Sequence, residues 1–369
     1  MVKSRREGAF EYAVPRMRRW VGIVLFNAVL TAAMQALAPE QPRMTDRNDY
    51  EYTGRQPLAA NCPNTIYCYR ILVPMLLEQV PMDSERRWRG LQWLAHTATG
   101  SVVAVTTTAL GSPLIASILV QTSYGFAFTA YDPYTADPVV FFISGLILYL
   151  WLADRALAVT LVAALGVFAK ETVALVVLAP TLAVVLWSDR RARWRWLLPP
   201  AVAWPLLLGF HWYMDTYEGW GIASNPAASF TSGSWLAIWW KLNPSLTKKA
   251  LMLFAPFGFA WAFAIAGYRH APKPFQQLAV GALPLMLALV FVQTPERALG
   301  NAFFVVIPLA VAFLAQVPQA AAWAAAITSG LVTARIGLSS DLLPSSSVLL
   351  PPAAAAAAWA FWAYFRQSR

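Results

Sequence analysis

Charge is what this sequence has least of. Only 12% of its 369 residues are Asp, Glu, Lys or Arg, about half the roughly 25% of a soluble domain. Too little polar surface remains to cover a soluble fold of this size. That excludes a soluble enzyme, a disordered tail, a coiled coil and a collagen-like rod. Histidine is almost missing: His96, His211 and His270 are scattered, so no zinc-type cluster is visible. There is no Gly-rich phosphate loop and no dinucleotide fingerprint. No cytosolic stretch is large enough to hydrolyse ATP, and no internal repeat of the transporter kind stands out. Cys62 and Cys68 are the only cysteines. Both fall in one polar loop, where they either form a disulfide outside the cytoplasm or stay as two thiols.

What is present is apolar. Ala, Val, Ile, Leu, Met, Cys and the aromatics make up 58% of the chain, in long runs broken by short polar clusters. That pattern predicts an all-α, polytopic helical membrane protein. An outer-membrane barrel would alternate apolar and polar residues instead. The runs lie at about 20–38, 91–110, 114–130, 139–153, 156–169, 173–187, 197–213, 250–267, 278–294, 301–316, 320–337 and 347–365. They give about 12 spans, within 10–13, in a single integral membrane domain over residues 1–369. Several runs are short of the roughly 20 residues a perpendicular crossing needs. The basic start followed by 20–38 reads as a retained first span, not a cleaved signal. Seventeen Trp and thirteen Tyr suit aromatic belts at the two interfaces. The net charge of +10 is explained by basic cytoplasmic loops. No basic patch on a soluble domain supports nucleic-acid binding.

Charge also orients the spans. Take the N-terminus as inside and 66–82 as an interfacial segment. The inner loops then hold residues 1–19, Asp154-Arg155, 189–195, 268–277 and the tail, with 15 of the 28 basic residues and four of the 18 acidic ones. The other side keeps 13 basic and 14 acidic residues. The positive excess falls on one side, as it does in a plasma membrane of bacterial type with both termini cytoplasmic.

The polar residues of interest gather on the outer side. The first outer loop, about 39–90, carries Asp46, Asp49 and Glu51 among Tyr50 and Tyr52, then Tyr69-Arg70-Ile71-Leu72-Val73-Pro74. Later outer loops hold Tyr131 to Pro138, Phe168-Ala169-Lys170-Glu171-Thr172, and Thr294-Pro295-Glu296-Arg297. A long aromatic outer loop covers about 213–249. Each has a plainer reading. The carboxylates 46, 49 and 51 could simply solvate a loop. Lys170 with Glu171, and Glu296 with Arg297, could be mutual ion pairs at membrane depth. Asp132 and Asp137 each precede a proline and could only shape turns. Arg70 is either an interfacial snorkeller or an anion contact. Arg86, Arg87 and Arg89 could bind lipid headgroups. The tryptophans of the aromatic loop could belt the interface or stack a sugar or lipid chain.

This layout resembles the GT-C superfamily of membrane glycosyltransferases, through Asn48-Asp49-Tyr50-Glu51-Tyr52, Tyr69 to Pro74, Phe168 to Thr172 and Glu296-Arg297. The resemblance implies sugar transfer from a polyprenyl-phosphate-linked donor to a lipid, glycan or protein acceptor, with inversion, at the outer face. It implies Asp49 as the carboxylate base, with Asp46 as its rival. Arg70, Lys170 and Arg297 become candidates for the donor phosphate. Glu51, Glu171, Glu296 and Asp137 become candidates for acceptor hydroxyls or for orienting those cations. The expected partners are that donor and membrane lipids, with no nucleic acid. No cofactor is expected, although this many outer carboxylates leave room for a divalent metal. The rival class is a transporter or flippase of a lipid-linked or anionic solute, using Lys170 and Glu171 as a substrate or proton site.

Overall fold

The computed structural model describes residues 17–39, 46–58, 68–188, 190–217, 245–290 and 294–367. These residues form helices and no strand. In a low-dielectric solvent every backbone N–H and C=O needs an internal partner, and a helix supplies one within the segment itself.

The chain opens with α1 (Met17–Leu37). Two short helices follow in the first polar loop, α2 (Arg47–Arg55) and α3 (Leu72–Glu78). Seven residues rise only about 10 Å, so α3 cannot cross a bilayer, in keeping with an interfacial segment. The long α4 (Ser84–Thr106) starts at Asp83, whose side chain accepts from the Arg86 N–H. Next come α5 (Pro113–Gln121) and α6 (Tyr124–Tyr131), bent by 50° at their junction. After them run α7 (Asp137–Leu152), α8 (Ala156–Gly166), α9 (Thr172–Val176) and α10 (Leu178–Trp187). α11 (Arg190–Tyr217) has 28 residues and holds Pro199, Pro200 and Pro205.

The second half contains α12 (Leu246–Phe254), α13 (Ala260–Gly267), α14 (Lys273–Gly281) and α15 (Leu283–Val290). It ends with α16 (Pro295–Leu299), α17 (Phe303–Leu314), α18 (Gln319–Leu338) and α19 (Ser346–Gln367). Each of the twelve apolar runs is helical over most of its described residues.

Among the described residues, four helical segments are long and apolar enough to cross a membrane: Arg19–Leu37, Pro295–Leu314, Gln319–Leu338 and Ser346–Gln367. Counting the bent pairs α5–α6 and α14–α15 as one span each brings the number to six. Asp137–Leu152, Ala156–Gly166 and Thr172–Trp187 are apolar but shorter. The sequence suggested about twelve spans and showed that several runs are short, but it does not register the bends.

Packing follows from residue size. Every residue of α17 is buried, so this helix threads the core. α13 lies so close to it that a Cβ on Gly267 would sit 1.9 Å from the Leu309 carbonyl oxygen. Helices in an apolar solvent associate through such close backbone contacts. α1 is held differently, by buried polar side chains. Asn27 donates to Ser117 at 3.0 Å and Thr31 to Gln121 at 3.2 Å. The Gln121 amide donates to the His96 carbonyl at 2.7 Å, and the His96 ring lies between Gln92 (2.9 Å) and Thr129 (3.0 Å). Each of these amides and hydroxyls has a partner, as a buried polar group requires.

Candidate functional site

Two polar faces lie at opposite ends of α7. At the C-terminal end, Asp154 bonds to Arg195 at 3.0 Å and to the Trp196 indole at 3.1 Å, joining two loops assigned to the inner side. At the N-terminal end sits a cluster of five charged side chains, built from four loops assigned to the outer side.

Asp137 is the centre of that cluster. It opens α7 directly before Pro138, a good first-turn residue because it lacks the N–H that would go unpaired there. The preceding stretch Tyr131 to Pro138 is not a solvated turn. Asp132, Tyr134, Thr135 and Asp137 are all at most 1% exposed. One Asp137 oxygen accepts from Lys170 Nζ, and the other accepts from Arg297 Nε at 2.6 Å. Arg297 also donates to the Thr135 hydroxyl at 2.6 Å and lies over the Phe128 ring. Lys170 comes from the turn after α8, and Arg297 from α16.

Beside this triad, Arg70 makes a forked bond to Glu171, with Nη2 at 2.6 Å and Nε at 3.1 Å. Its remaining arm points at the Tyr50 hydroxyl, 3.3 Å away. Burial works against the Arg70 charge, but Glu171 and Tyr50 outweigh it and keep the guanidinium protonated well above its usual range. Burial pushes the Tyr50 hydroxyl up as well, with Arg70 partly opposing. The Leu72 N–H donates to the Phe168 carbonyl at 3.1 Å, so the Arg70 and Lys170 segments are bound through backbone too.

The sequence neighbours therefore do not pair with each other. Lys170 turns to Asp137 while Glu171 turns to Arg70; Arg297 turns to Asp137 and leaves Glu296. The mutual-pair reading of both dipeptides is corrected on this point. Glu296 has a buried Oε2 with no hydrogen-bond partner among the described residues. Counted together, three cations (Arg70, Lys170, Arg297) face two carboxylates (Asp137, Glu171).

α2 covers the cluster through Tyr50, which is fully buried against Trp88 at 5.4 Å; Trp88 in turn meets Tyr134 at 6.0 Å. α2 seats on α3 at Gly54, where a Cβ would come within 2.9 Å of the Pro74 carbonyl oxygen. Glu51 points into a separate tie. It accepts from Arg47 at 2.8 Å, meets Arg55 at 3.5 Å and accepts from Ser84. Burial alone would raise its carboxyl, but the bonds from Ser84 and Arg47 outweigh that and lower it. Through these bonds Glu51 fastens α2 to α4. Arg86, Arg87 and Arg89 are likewise paired, with Asp83, Glu78 and Glu85.

The two base candidates differ. Asp46 stands at the start of α2, is 7% exposed, and its side chain makes no hydrogen bond or ion pair among the described residues. Asp49 lies one turn later, half-buried, with its backbone carbonyl accepting from Thr53 at 2.9 Å. Nearby, Tyr69 stacks on His211 at 3.8 Å and donates to Asp215, bringing the end of α11 to the same face. Cys68 is disulfide-bonded. Cys62, the basic residues 1–16 and most of the aromatic loop (218–244) lie outside the described residues. Among the described residues no three His, Cys, Asp or Glu side chains gather in a way that could hold a metal ion.

Sequence reasoning named all five charged residues of the cluster but not the pairing between them. Tyr50 and Thr135, which hold two of its arginines, carry no charge signal that would have marked them. Comparison with family models, with curated proteins and with solved structures finds no match to this chain.

Proposed function

We propose that this chain is a GT-C-type glycosyltransferase with about twelve spans. It moves a sugar from a polyprenyl-phosphate donor to a lipid, glycan or protein acceptor at the outer face of a bacterial-type plasma membrane. The observation that carries the reading is the convergence of three cations, Arg70, Lys170 and Arg297, from three loops around Asp137 and Glu171. Fixed cations gathered at one place favour a phosphate anion there. Two features add support. The Cys68 disulfide suits an oxidising compartment outside the cytoplasm. α7, about 24 Å long by its 16 residues, is shorter than a hydrocarbon core of about 30 Å, so the cluster would be recessed where a lipid-linked phosphate can reach it.

In this reaction Asp49 takes the proton of the acceptor hydroxyl as its oxygen attacks the anomeric carbon. The bond from that carbon to the donor phosphate breaks with inversion, and the lipid phosphate leaves as an anion. Arg70, Lys170 and Arg297 hold that anion, because fixed cations favour the charge that develops on it. Asp137 and Glu171 keep the three cations in place. Glu51 and Glu296 are the remaining candidates for an acceptor hydroxyl. The test is sugar transfer by the purified chain in lipid. Asp49→Asn should cost about 10²–10⁴ in rate, as loss of a general base does, with donor affinity nearly unchanged. A dead Asp46→Asn beside an active Asp49→Asn would move the base three residues upstream. Full activity in both would take the base role away from Asp49 and Asp46, and no sugar transfer by the unmodified chain would remove the glycosyltransferase reading.

A transporter or flippase of a lipid-linked or anionic solute is the second reading. The buried polar seam of Asn27, Thr31, Gln92, His96, Gln121 and Thr129 favours it, because a transport path needs polar groups away from one interface. Movement of an intact lipid-linked substrate across proteoliposomes, without sugar transfer, would select it.

A further inference from the structure

We propose that the groove at the α7–α8 corner is a binding site for one anionic phospholipid of the leaflet at that face. The groove has a volume of about 490 Å³ and lies at the opposite end of α7 from the charged cluster. Its walls are layered. Arg155 and Arg195 stand at one level with Asp154, and Leu157, Leu161 and Leu198 line the groove beyond them. From Arg155 to Leu161 the rise along α8 is about 9 Å, the depth from a headgroup into the acyl region. Leu157 and Leu161 are 65% and 61% exposed, four residues apart and so on one face of α8. An acyl chain lying on that face would remove both from water or from looser contact. The exposed Trp194, next to Arg195, marks the same interfacial level.

The charge sets the headgroup class. Asp154 takes up Arg195 through Oδ2 and the Trp196 indole through Oδ1. It does so from a left-handed backbone, φ 53°, which turns its carboxylate toward α11. Arg195 is thereby fixed at the rim of the groove. Arg155 is exposed and makes no ion pair or side-chain hydrogen bond among the described residues. Two guanidinium groups against one carboxylate leave one positive charge. A phosphate diester carrying a single negative charge neutralises it, whereas a zwitterionic headgroup brings its own ammonium to the same place. Basic pockets between membrane helices select acidic headgroups on this ground. A free phosphate would satisfy the arginines but leave the leucine wall unused.

The experiment is native mass spectrometry of the full-length chain released from micelles containing equal amounts of phosphatidylglycerol and phosphatidylcholine. One retained phosphatidylglycerol is expected, preferred about fivefold, since a basic residue near a membrane surface contributes about 1 kcal/mol toward an acidic lipid. Arg155→Gln should bring the ratio close to one. Asp154→Asn should raise it, because Asn tolerates the left-handed backbone and the second guanidinium is released. Inorganic phosphate at millimolar concentration should leave the lipid in place. Equal retention of the two lipids by the unmodified chain would overturn the proposal, as would an unchanged ratio in Arg155→Gln or a lowered one in Asp154→Asn. Displacement by inorganic phosphate would reduce the groove to a simple anion site and overturn it too. No sugar transfer enters this readout, so its failure is separate from failure of the glycosyltransferase reading.

Discussion

Replacing Asp137 by Asn tests whether one buried carboxylate holds the candidate site together. Asp137 is 1% exposed, while the side chains of Lys170 and Arg297 that bind its two oxygens are 13% and 19% exposed. A contact pair at an effective dielectric near 20 attracts by about 4 kcal/mol, and desolvation of the three groups takes back much of that sum. Removing the carboxylate keeps the desolvation cost and loses the attraction. It also leaves two cations facing each other. Breaking a buried pair from one side costs about 3–5 kcal/mol, and the Asp137→Asn variant should fall in that range. Lys170→Met in the same chain removes one of the stranded cations, so the double variant should recover at least about 1 kcal/mol relative to additivity, as coupled neighbours do. The measurement is unfolding of the full-length chain in detergent, followed by circular dichroism across the four variants of the cycle. A loss below about 1 kcal/mol for Asp137→Asn, or strict additivity in the double variant, would refute the reasoning.

Other substitutions probe separate links. Arg70→Lys keeps the charge but cannot reproduce the fork to Glu171 together with the arm to Tyr50; a loss of about 1.5 kcal/mol is expected for a charge-assisted bond, and an unchanged unfolding midpoint would contradict the forked geometry. Gly267→Ala places a Cβ against the Leu309 carbonyl, so α13 must shift, at about 1–3 kcal/mol; unfolding on the same scale reads it, and a neutral outcome would mean the two helices lie farther apart. For orientation, with Cys62 and Cys68 replaced by Ser, a single Cys at position 192 should resist an impermeant thiol reagent in intact cells while one at position 48, exposed on α2, should react. The reverse pattern would turn the proposed topology over and send the charged cluster to the cytoplasmic side.

The helical membrane class was legible in the sequence because it depends on composition and run length, which are one-dimensional quantities. The sorting of loops was legible for a related reason. Alternation along the chain grouped Arg70, Asp137, Lys170 and Arg297 on one side and Asp154 and Arg195 on the other, and these are the groups that touch. Span count was less accessible. A run such as 114–130 reads as one span by its length, yet it breaks at Thr122-Ser123, where α5 and α6 meet at 50°. The wiring of the site lay beyond the sequence altogether. Arg297 and Asp137 are 160 positions apart, and Arg70 and Glu171 are 101 apart. Lys170 and Glu171 are adjacent but depart from one turn in different directions, each toward the opposite charge that the fold brings closest. Local pattern fixes where a charge sits along the chain. Only the packed helices determine which other charge shares its low-dielectric surroundings, and there an ion must have a partner.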